Sequence, residues 1–248
     1  MRSLEGKVAI ITGGNSGIGK ATAKRFVEEG AQVLITGRRQ DVVDAAAAEI
    51  GGNVVGVRGD VAEIDFHHRL ADMVKERFGA IDIYMANAGV INLEGSKTVT
   101  EGEFDRHFDI NARGVFFGVQ AIEPLIRDGG NIIVTSSLAA SKVLPQHTVY
   151  AGSKAALAAF ARNWALEFKD RRIRVNILSP GPVGTEILGK LGVSEVDRPG
   201  FEAHMAGLIP AGRMGRPDEL AEAALFLASK GTFVNGVELI VDGGMHLT

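Results

Sequence analysis

The sequence predicts a single α/β domain built on a Rossmann-type, doubly wound parallel sheet of seven strands. Short apolar runs rich in β-branched residues alternate with longer stretches of helical apolar spacing, the pattern of right-handed strand–helix–strand crossovers. A cluster of glycines lies where the first such run gives way to the first helical stretch. No Pro/Ser-rich linker, compositional break or internal repeat divides the 248 residues, so one domain is expected throughout.

In chain order, segments 8–12, 33–36, 54–58, 81–86, 132–135, 175–178 and 239–241 read as buried strands. Segments 19–29, 41–50, 64–78, 103–126, 149–169 and 217–228 read as the helices between and beyond them. Segment 185–215 breaks this regularity with six glycines and two prolines. A stretch of that length between regular elements is expected to be a lid. Its scattered Ile187, Leu188, Leu191, Phe201, Met205, Leu208 and Ile209 favour a lid that packs on something over plain disorder.

Hydrophobic residues make up 46% and charged residues 23%, enough apolar mass for a substantial core and too much for general disorder. A net charge of −3, with no long basic block, gives no electrostatic reason to expect a nucleic-acid partner. The local cluster Arg171, Arg172, Arg174 reads as a solvated helix end. With no cysteine, disulfides, thiolate nucleophiles and Cys-ligated metals are excluded. The N-terminus lacks an apolar signal segment and no run approaches the roughly 20 apolar residues of a membrane span, so a soluble cytoplasmic protein is expected. The six histidines form no HExxH or comparable ligand set, and no metal is expected; His147 reads as a loop histidine, with a place in the lining of the substrate pocket as the alternative.

Thr12-Gly13-Gly14-Asn15-Ser16-Gly17-Ile18-Gly19 follows the first strand and opens directly into a helix. Glycines there let the backbone turn tightly and approach a pyrophosphate, whose charge faces the helix N-terminus. An ATP-type phosphate loop nearly fits Gly14 to Ala21, but needs a hydroxyl for Mg²⁺ where Ala21 stands. No GxGxxG register fits either, because the glycines fall at Gly13, Gly17 and Gly19. That TGxxxGxG spacing resembles the short-chain dehydrogenase/reductase family. The resemblance continues in order along nearly the whole chain, through Asp60-Val61, Asn87-Ala88-Gly89, Asn111, Ser137, Tyr150/Lys154, Pro180-Gly181-Pro182-Val183-Gly184-Thr185, and the tail from Arg213 to Gly244. It implies a homotetramer or homodimer acting on a small-molecule carbonyl or alcohol.

Cofactor choice turns on the end of the second strand, where a ribose-binding acid would select NAD. Here Gly37 occupies that place and Arg38 and Arg39 follow, two guanidiniums able to clasp a 2′-phosphate. NADP is therefore expected, with Arg38 as the principal contact and NAD as the alternative. By resemblance, Gly13, Asn15, Ser16, Gly17, Ile18 and Gly19 hold the pyrophosphate, and Asp60 and Val61 the adenine. Asn87, Ala88 and Gly89 match the family's Asn-Ala-Gly loop, with Ala86 where the family has a further asparagine; Asn87 is left to tie the loop together. Pro180, Gly181, Val183 and Thr185 match its carboxamide- and phosphate-contacting segment.

Tyr150 and Lys154 lie one turn apart on a single helix face. A phenol is a poor base at neutral pH, and a neighbouring ammonium favours its phenolate. So poised, the tyrosine gives a proton to a carbonyl oxygen or takes one from an alcohol. Alone, such a pair is ordinary surface decoration. Ser137 changes that reading: it stands at the C-terminal end of the fifth strand, where ligands of open α/β sheets gather and a hydroxyl can donate to a developing oxyanion. Its spacing to Tyr150 is the family's, and Asn111 matches the family's fourth catalytic position, which implies support for a proton-relay water. Lys154, by the same resemblance, also binds the nicotinamide ribose. The expected reaction interconverts a carbonyl and a secondary alcohol; the rivals are an NAD-dependent sugar or alcohol dehydrogenase and a catalytically silent dinucleotide sensor or scaffold. The helix after Tyr150 is apolar around its circumference (Ala155 to Ala161, Trp164, Ala165), which predicts burial against another subunit.

Overall fold

The computed structural model describes residues 2–186, 194 and 196–248. One fully parallel sheet comprises β1 (Val8–Ile11), β2 (Gln32–Gly37), β3 (Val54–Arg58), β4 (Ile81–Ala86), β5 (Ile126–Thr135), β6 (Arg174–Pro180) and β7 (Glu238–Val241). Their spatial order is β3-β2-β1-β4-β5-β6-β7, so the chain reverses its direction of travel between β1 and β4. At that switch point the loops leaving the two strands diverge and open a crevice.

Helices α1 (Gly17–Glu28), α2 (Gln40–Ile50), α3 (Ile64–Phe78), α4 (Glu101–Phe108), α5 (Gly114–Ile122), α6 (Thr148–Glu167), α7 (Arg198–Leu208) and α8 (Pro217–Ala228) complete the described elements. Strand alternation splits the core in two. Ile10, Tyr84, Ile132, Val134 and Ile177 face one way and pack with Leu70, Val119 and Leu157 of α3, α5 and α6. Ala9, Ile11, Ile83, Met85 and Ile133 face the other way, against Phe26, Val43 and Leu220 of α1, α2 and α8. Both faces of the sheet are therefore covered, which accounts for the nearly unbroken apolar strands.

Segment 103–126, expected as one helix, is not continuous. It begins at Glu101, where Thr100 caps it by accepting from the Glu103 amide (3.2 Å). It passes through a π turn at Asp109–Arg113 and ends at Ile122. Pro124 lacks an amide hydrogen and sits in a short 3-10 turn, Glu123–Leu125, after which β5 starts six residues before its expected beginning. Of the arginine cluster only Arg172 is an exposed helix end. Arg171 pairs with Glu123 (2.7 Å) and Asp128 (3.1 Å), while Arg174, on β6, donates to the carbonyls of Gly231, Val234 and Leu227. Arg174 thus ties the α8–β7 connection to the sheet. Of the apolar side chains expected in a lid, Ile187, Leu188 and Leu191 lie outside the described residues; Phe201, Met205 and Leu208 are carried by α7. Among the described residues no helix is long and apolar enough to cross a membrane.

Candidate active site

A cleft of about 1180 Å³ opens at the C-terminal edge of the sheet, over the ends of β1, β4, β5 and β6. One side is built from glycine. Gly13 holds a positive φ of 65°, and a side chain there would lie 2.9 Å from the Ala88 Cα. Gly19 is tighter: a Cβ would stand 2.5 Å from both the Gly13 carbonyl oxygen and Asn87 Nδ2. Ser16, in extended conformation, turns the chain into α1, so the positive N-terminus of that helix faces the cleft with no acidic residue in its first turn. The cradle fits a pyrophosphate.

Two loops are laced together beneath it. The Thr12 hydroxyl oxygen accepts from the Asn87 and Ala88 amides (3.0 Å each), and the Asn87 side chain donates to the Thr12 carbonyl (3.0 Å). Asn87 thus ties the β1 and β4 ends as expected for a loop with alanine at position 86. At the far end, Arg38 and Arg39 are exposed, line the cleft and have no ion pair among the described residues. Asp60 accepts from the Ala62 amide (3.0 Å), which fixes the turn after β3 and presents buried Val61 to the cleft. Pro180, Gly181, Val183 and Thr185 line the side beyond β6. Gly181 is required by contact as well, since a Cβ would approach the Asp242 Cβ to 2.6 Å.

Ser137, Tyr150 and Lys154 meet in the middle of the cleft. Ser137 extends from the end of β5 and hydrogen-bonds to Tyr150, and its oxygen also accepts from the Ala139 amide (3.2 Å). Lys154 is only 4% exposed, and its ammonium donates to the Thr135 carbonyl (2.8 Å). Burial pulls its pKa down to about 8. Burial also pushes the Tyr150 phenol above its ordinary value, with the Ser137 hydrogen bond working in the opposite direction. This departs from the expectation that the neighbouring ammonium dominates and favours phenolate: desolvation of the phenol is the larger effect and favours its protonated form. Gly89 makes the crowding possible, since a Cβ there would come within 3.1 Å of Lys154 Nζ and 3.2 Å of Asn111 Oδ1.

Asn111 does not line the cleft. It is completely buried at the π turn and buttresses from behind, its Oδ1 accepting from the Val90 amide (2.8 Å). Its Nδ2 donates to the Val90 carbonyl (2.9 Å) and the Ser153 hydroxyl (3.0 Å), which in turn donates to the Tyr150 carbonyl (2.7 Å). Both amide hydrogens are engaged, so the side chain couples the loop after β4 to the start of α6. A π turn inside a helix is a frequent mark of a functional position. Sequence reasoning left out Thr12, Ser153 and His107, whose roles depend on long-range contacts. His107 is buried with its ring 6.3 Å from that of Tyr150. It accepts from the Asn92 amide at Nε2 (3.0 Å) while Nδ1 faces the Glu103 carbonyl (2.9 Å), a pairing that requires the neutral Nδ1–H tautomer. His147 flanks the other side at 6.1 Å.

A sheet of this topology, with a glycine-lined helix terminus and Tyr150 and Lys154 lining its switch-point cleft, defines a dinucleotide-binding oxidoreductase. A family model described as Enoyl-(Acyl carrier protein) reductase matches residues 13–246. The oxidoreductase asL5 of Sarocladium schorii is 42% identical over 252 residues, covering 99% of this chain and 98% of the relative. Versicolorin reductase stcU of Emericella nidulans is 37% identical, covering 97% of this chain and 96% of the relative. Among solved structures, 3-ketoacyl-(acyl-carrier-protein) reductase from Brucella melitensis complexed with NADH aligns with a TM-score of 0.90 at 32% identity, over 98% of this chain and 100% of that one. The chain belongs to the short-chain dehydrogenase/reductase family and is an NAD(P)-dependent oxidoreductase.

Proposed function

We propose that this enzyme interconverts a carbonyl and a secondary alcohol with NADP(H), using Tyr150 as its proton donor and acceptor. The convergence of Ser137, Tyr150 and Lys154 inside the cleft that holds the glycine cradle carries this reading. When bound, the nicotinamide supplies or accepts the hydride at the substrate carbon. Ser137 donates a hydrogen bond to the substrate oxygen as charge develops there, and Tyr150 delivers the proton. Lys154 holds the ribose hydroxyls and adds positive potential beside the phenol. Asn111 acts through its buttress on Val90 and Ser153, which fixes where α6 presents Tyr150. These intact contacts favour catalysis over a silent sensor or scaffold.

Gly13, Asn15, Ser16, Gly17, Ile18 and Gly19 would hold the pyrophosphate, and Asp60 and Val61 the adenine. Asn87, Ala88 and Gly89 would border the nicotinamide riboside, with Pro180, Gly181, Val183 and Thr185 on its carboxamide side. The segment 185–215 would serve as a lid, with α7 as its described wall. We place the enzyme in the cytoplasm, as a homotetramer or homodimer joined in part through α6, where Ala155, Ala159 and Leu166 are exposed.

The NADP preference rests on Arg38 and Arg39 standing exposed at the end of β2, with no ion pair among the described residues. Replacing Arg38 by Asp removes a charge-assisted contact of roughly 1.5–3 kcal/mol, so the KM for NADPH should rise about 10- to 100-fold while that for NADH holds or falls. Unchanged NADPH affinity in Arg38→Asp would sink the phosphate clasp and favour the NAD-dependent alternative.

A further inference from the structure

Beyond Tyr150 the cleft continues into a chamber whose walls come from four parts of the chain. The loop after β5 contributes Leu138 and Leu144, α7 contributes Met205, and Met214 and Met245 add to the lining. Leu138, Ile209 and Met245 form a small apolar cluster separate from both core layers, with Leu144, Met205 and Met214 packed against it. Leu138 and Met245 are themselves buried, and with the partly buried Leu144, Met205 and Met214 they give this part of the cleft wall an apolar character.

The C-terminal turn is bolted in place as the chamber's floor. Asp242 accepts from the Gly244 (2.9 Å) and His246 (2.6 Å) amides, and the Gly243 carbonyl accepts from Ala211 (3.0 Å). The Lys142 ammonium donates to the Thr248 carbonyl oxygen, and the Thr248 hydroxyl donates to Leu208 (3.4 Å). The loop after β5, the end of α7 and the turn carrying Met245 are therefore one connected unit.

Most of the charges of the cleft lie elsewhere. Arg38, Arg39, Asp60, Lys20 and Glu49 belong to the cofactor end, and Glu186 sits against Gly17 of the glycine loop. Around Tyr150 the cleft is lined by the polar side chains of Ser137, His147 and Lys154, the last already held by the Thr135 carbonyl.

We infer that the substrate is an uncharged ketone carrying an aromatic ring, packed among Met205, Met214 and Met245, with Met245 a determinant of specificity. This rests on the carbonyl-reducing reading above. Thioethers fill irregular gaps and make favourable contacts with aromatic rings, and three of the six methionines converge here. A ketose or other polyol would bury hydroxyls against these walls without partners, losing their hydration uncompensated. A carboxylate-bearing substrate would meet only one lysine among the described residues lining the cleft near Tyr150, Lys154, whose ammonium is already engaged by the Thr135 carbonyl.

The test measures calorimetric binding to the Tyr150→Phe protein saturated with NADP⁺, so that affinity is read without turnover. The probes are a bicyclic aryl ketone (1-tetralone), a ketose (fructose) and an acetoacetyl thioester of N-acetylcysteamine. Tetralone should bind at least tenfold more tightly than either alternative. Met245→Ser, and separately Met205→Ser on half-exposed α7, should weaken tetralone about tenfold while leaving NADP⁺ affinity unchanged. Ketose or thioester binding that equals or exceeds tetralone overturns the inference, as does an unaltered tetralone affinity in both methionine variants. Tight tetralone binding with no reduction by the wild-type enzyme under either reduced cofactor would instead overturn the carbonyl-reducing reading and leave the chamber's preference standing.

Discussion

Lys154 is held against its own stability, so removing its charge should make the protein more stable and inactive at once. The ammonium is nearly fully buried, and its pKa falls from an ordinary 10.5 to about 8 through desolvation. At about 1.4 kcal/mol per pH unit, that gap makes the charged side chain cost about 3 kcal/mol at neutral pH. Lys154→Met removes the cost at similar volume and gives up the charge-assisted hydrogen bond to the Thr135 carbonyl, a loss of about 1.5 kcal/mol. The net gain of about 1.5 kcal/mol corresponds to a rise of about 3–6 °C in Tm for a chain of this size. Between about pH 8 and 10.5 the unfolded chain binds more protons than the folded one, so wild-type stability climbs with pH through that window. The advantage of the variant should therefore be full below pH 8 and shrink towards pH 10.5. Chemical denaturation of both cofactor-free proteins at pH 7, 9 and 10.5 reads this directly. A variant that is less stable at pH 7, or whose advantage does not change with pH, would refute the assignment of Lys154 as a strained, desolvated cation.

Gly19→Ala should cost about 1–3 kcal/mol of stability and weaken NADPH binding, because its new Cβ would stand 2.5 Å from the Gly13 carbonyl; unchanged melting and cofactor affinity would remove the cradle from the account. Light scattering at micromolar concentration should give a mass of two or four chains, and Ala159→Glu, at an exposed position of α6, should shift it downward. A monomeric parent would contradict burial of α6 against a partner.

The repeat of strands and helices was legible because each element carries its own period. Segments 54–58 and 81–86, and helices 64–78 and 217–228, fall where the apolar pattern ends. What local pattern did not carry was geometry imposed from a distance. The π turn at Asn111 keeps helical spacing in the sequence, and only the contacts of Asn111 with Val90 and Ser153 distinguish it. Helix α7 hides in a stretch whose Pro199, Gly200 and Gly207 read as loop. Arg174 reads as surface charge because the three carbonyls that bury it come from residues more than fifty positions further along.

The site was legible as a set of motifs, and every sequence-expected residue except Asn111 lines the one cleft. Its electrostatics were not. Spacing places an ammonium near Tyr150 but says nothing of how much water the phenol loses, and that loss sets the direction of its pKa. Thr12 and His107 were invisible for a related reason: a threonine after a strand and a histidine on a helix are common, and what they do here depends on amides some 75 and 15 residues away.

The most direct test of the central claim is Tyr150→Phe, followed by NADPH fluorescence titration and by absorbance of the reduced nicotinamide during turnover of a ketone the parent reduces. Loss of the phenol oxygen should lower kcat by at least about 100-fold, the contribution of a positioned general acid, and leave NADPH affinity within about twofold. A variant that binds NADPH normally and turns over at a rate close to the parent's would contradict Tyr150 as the proton donor.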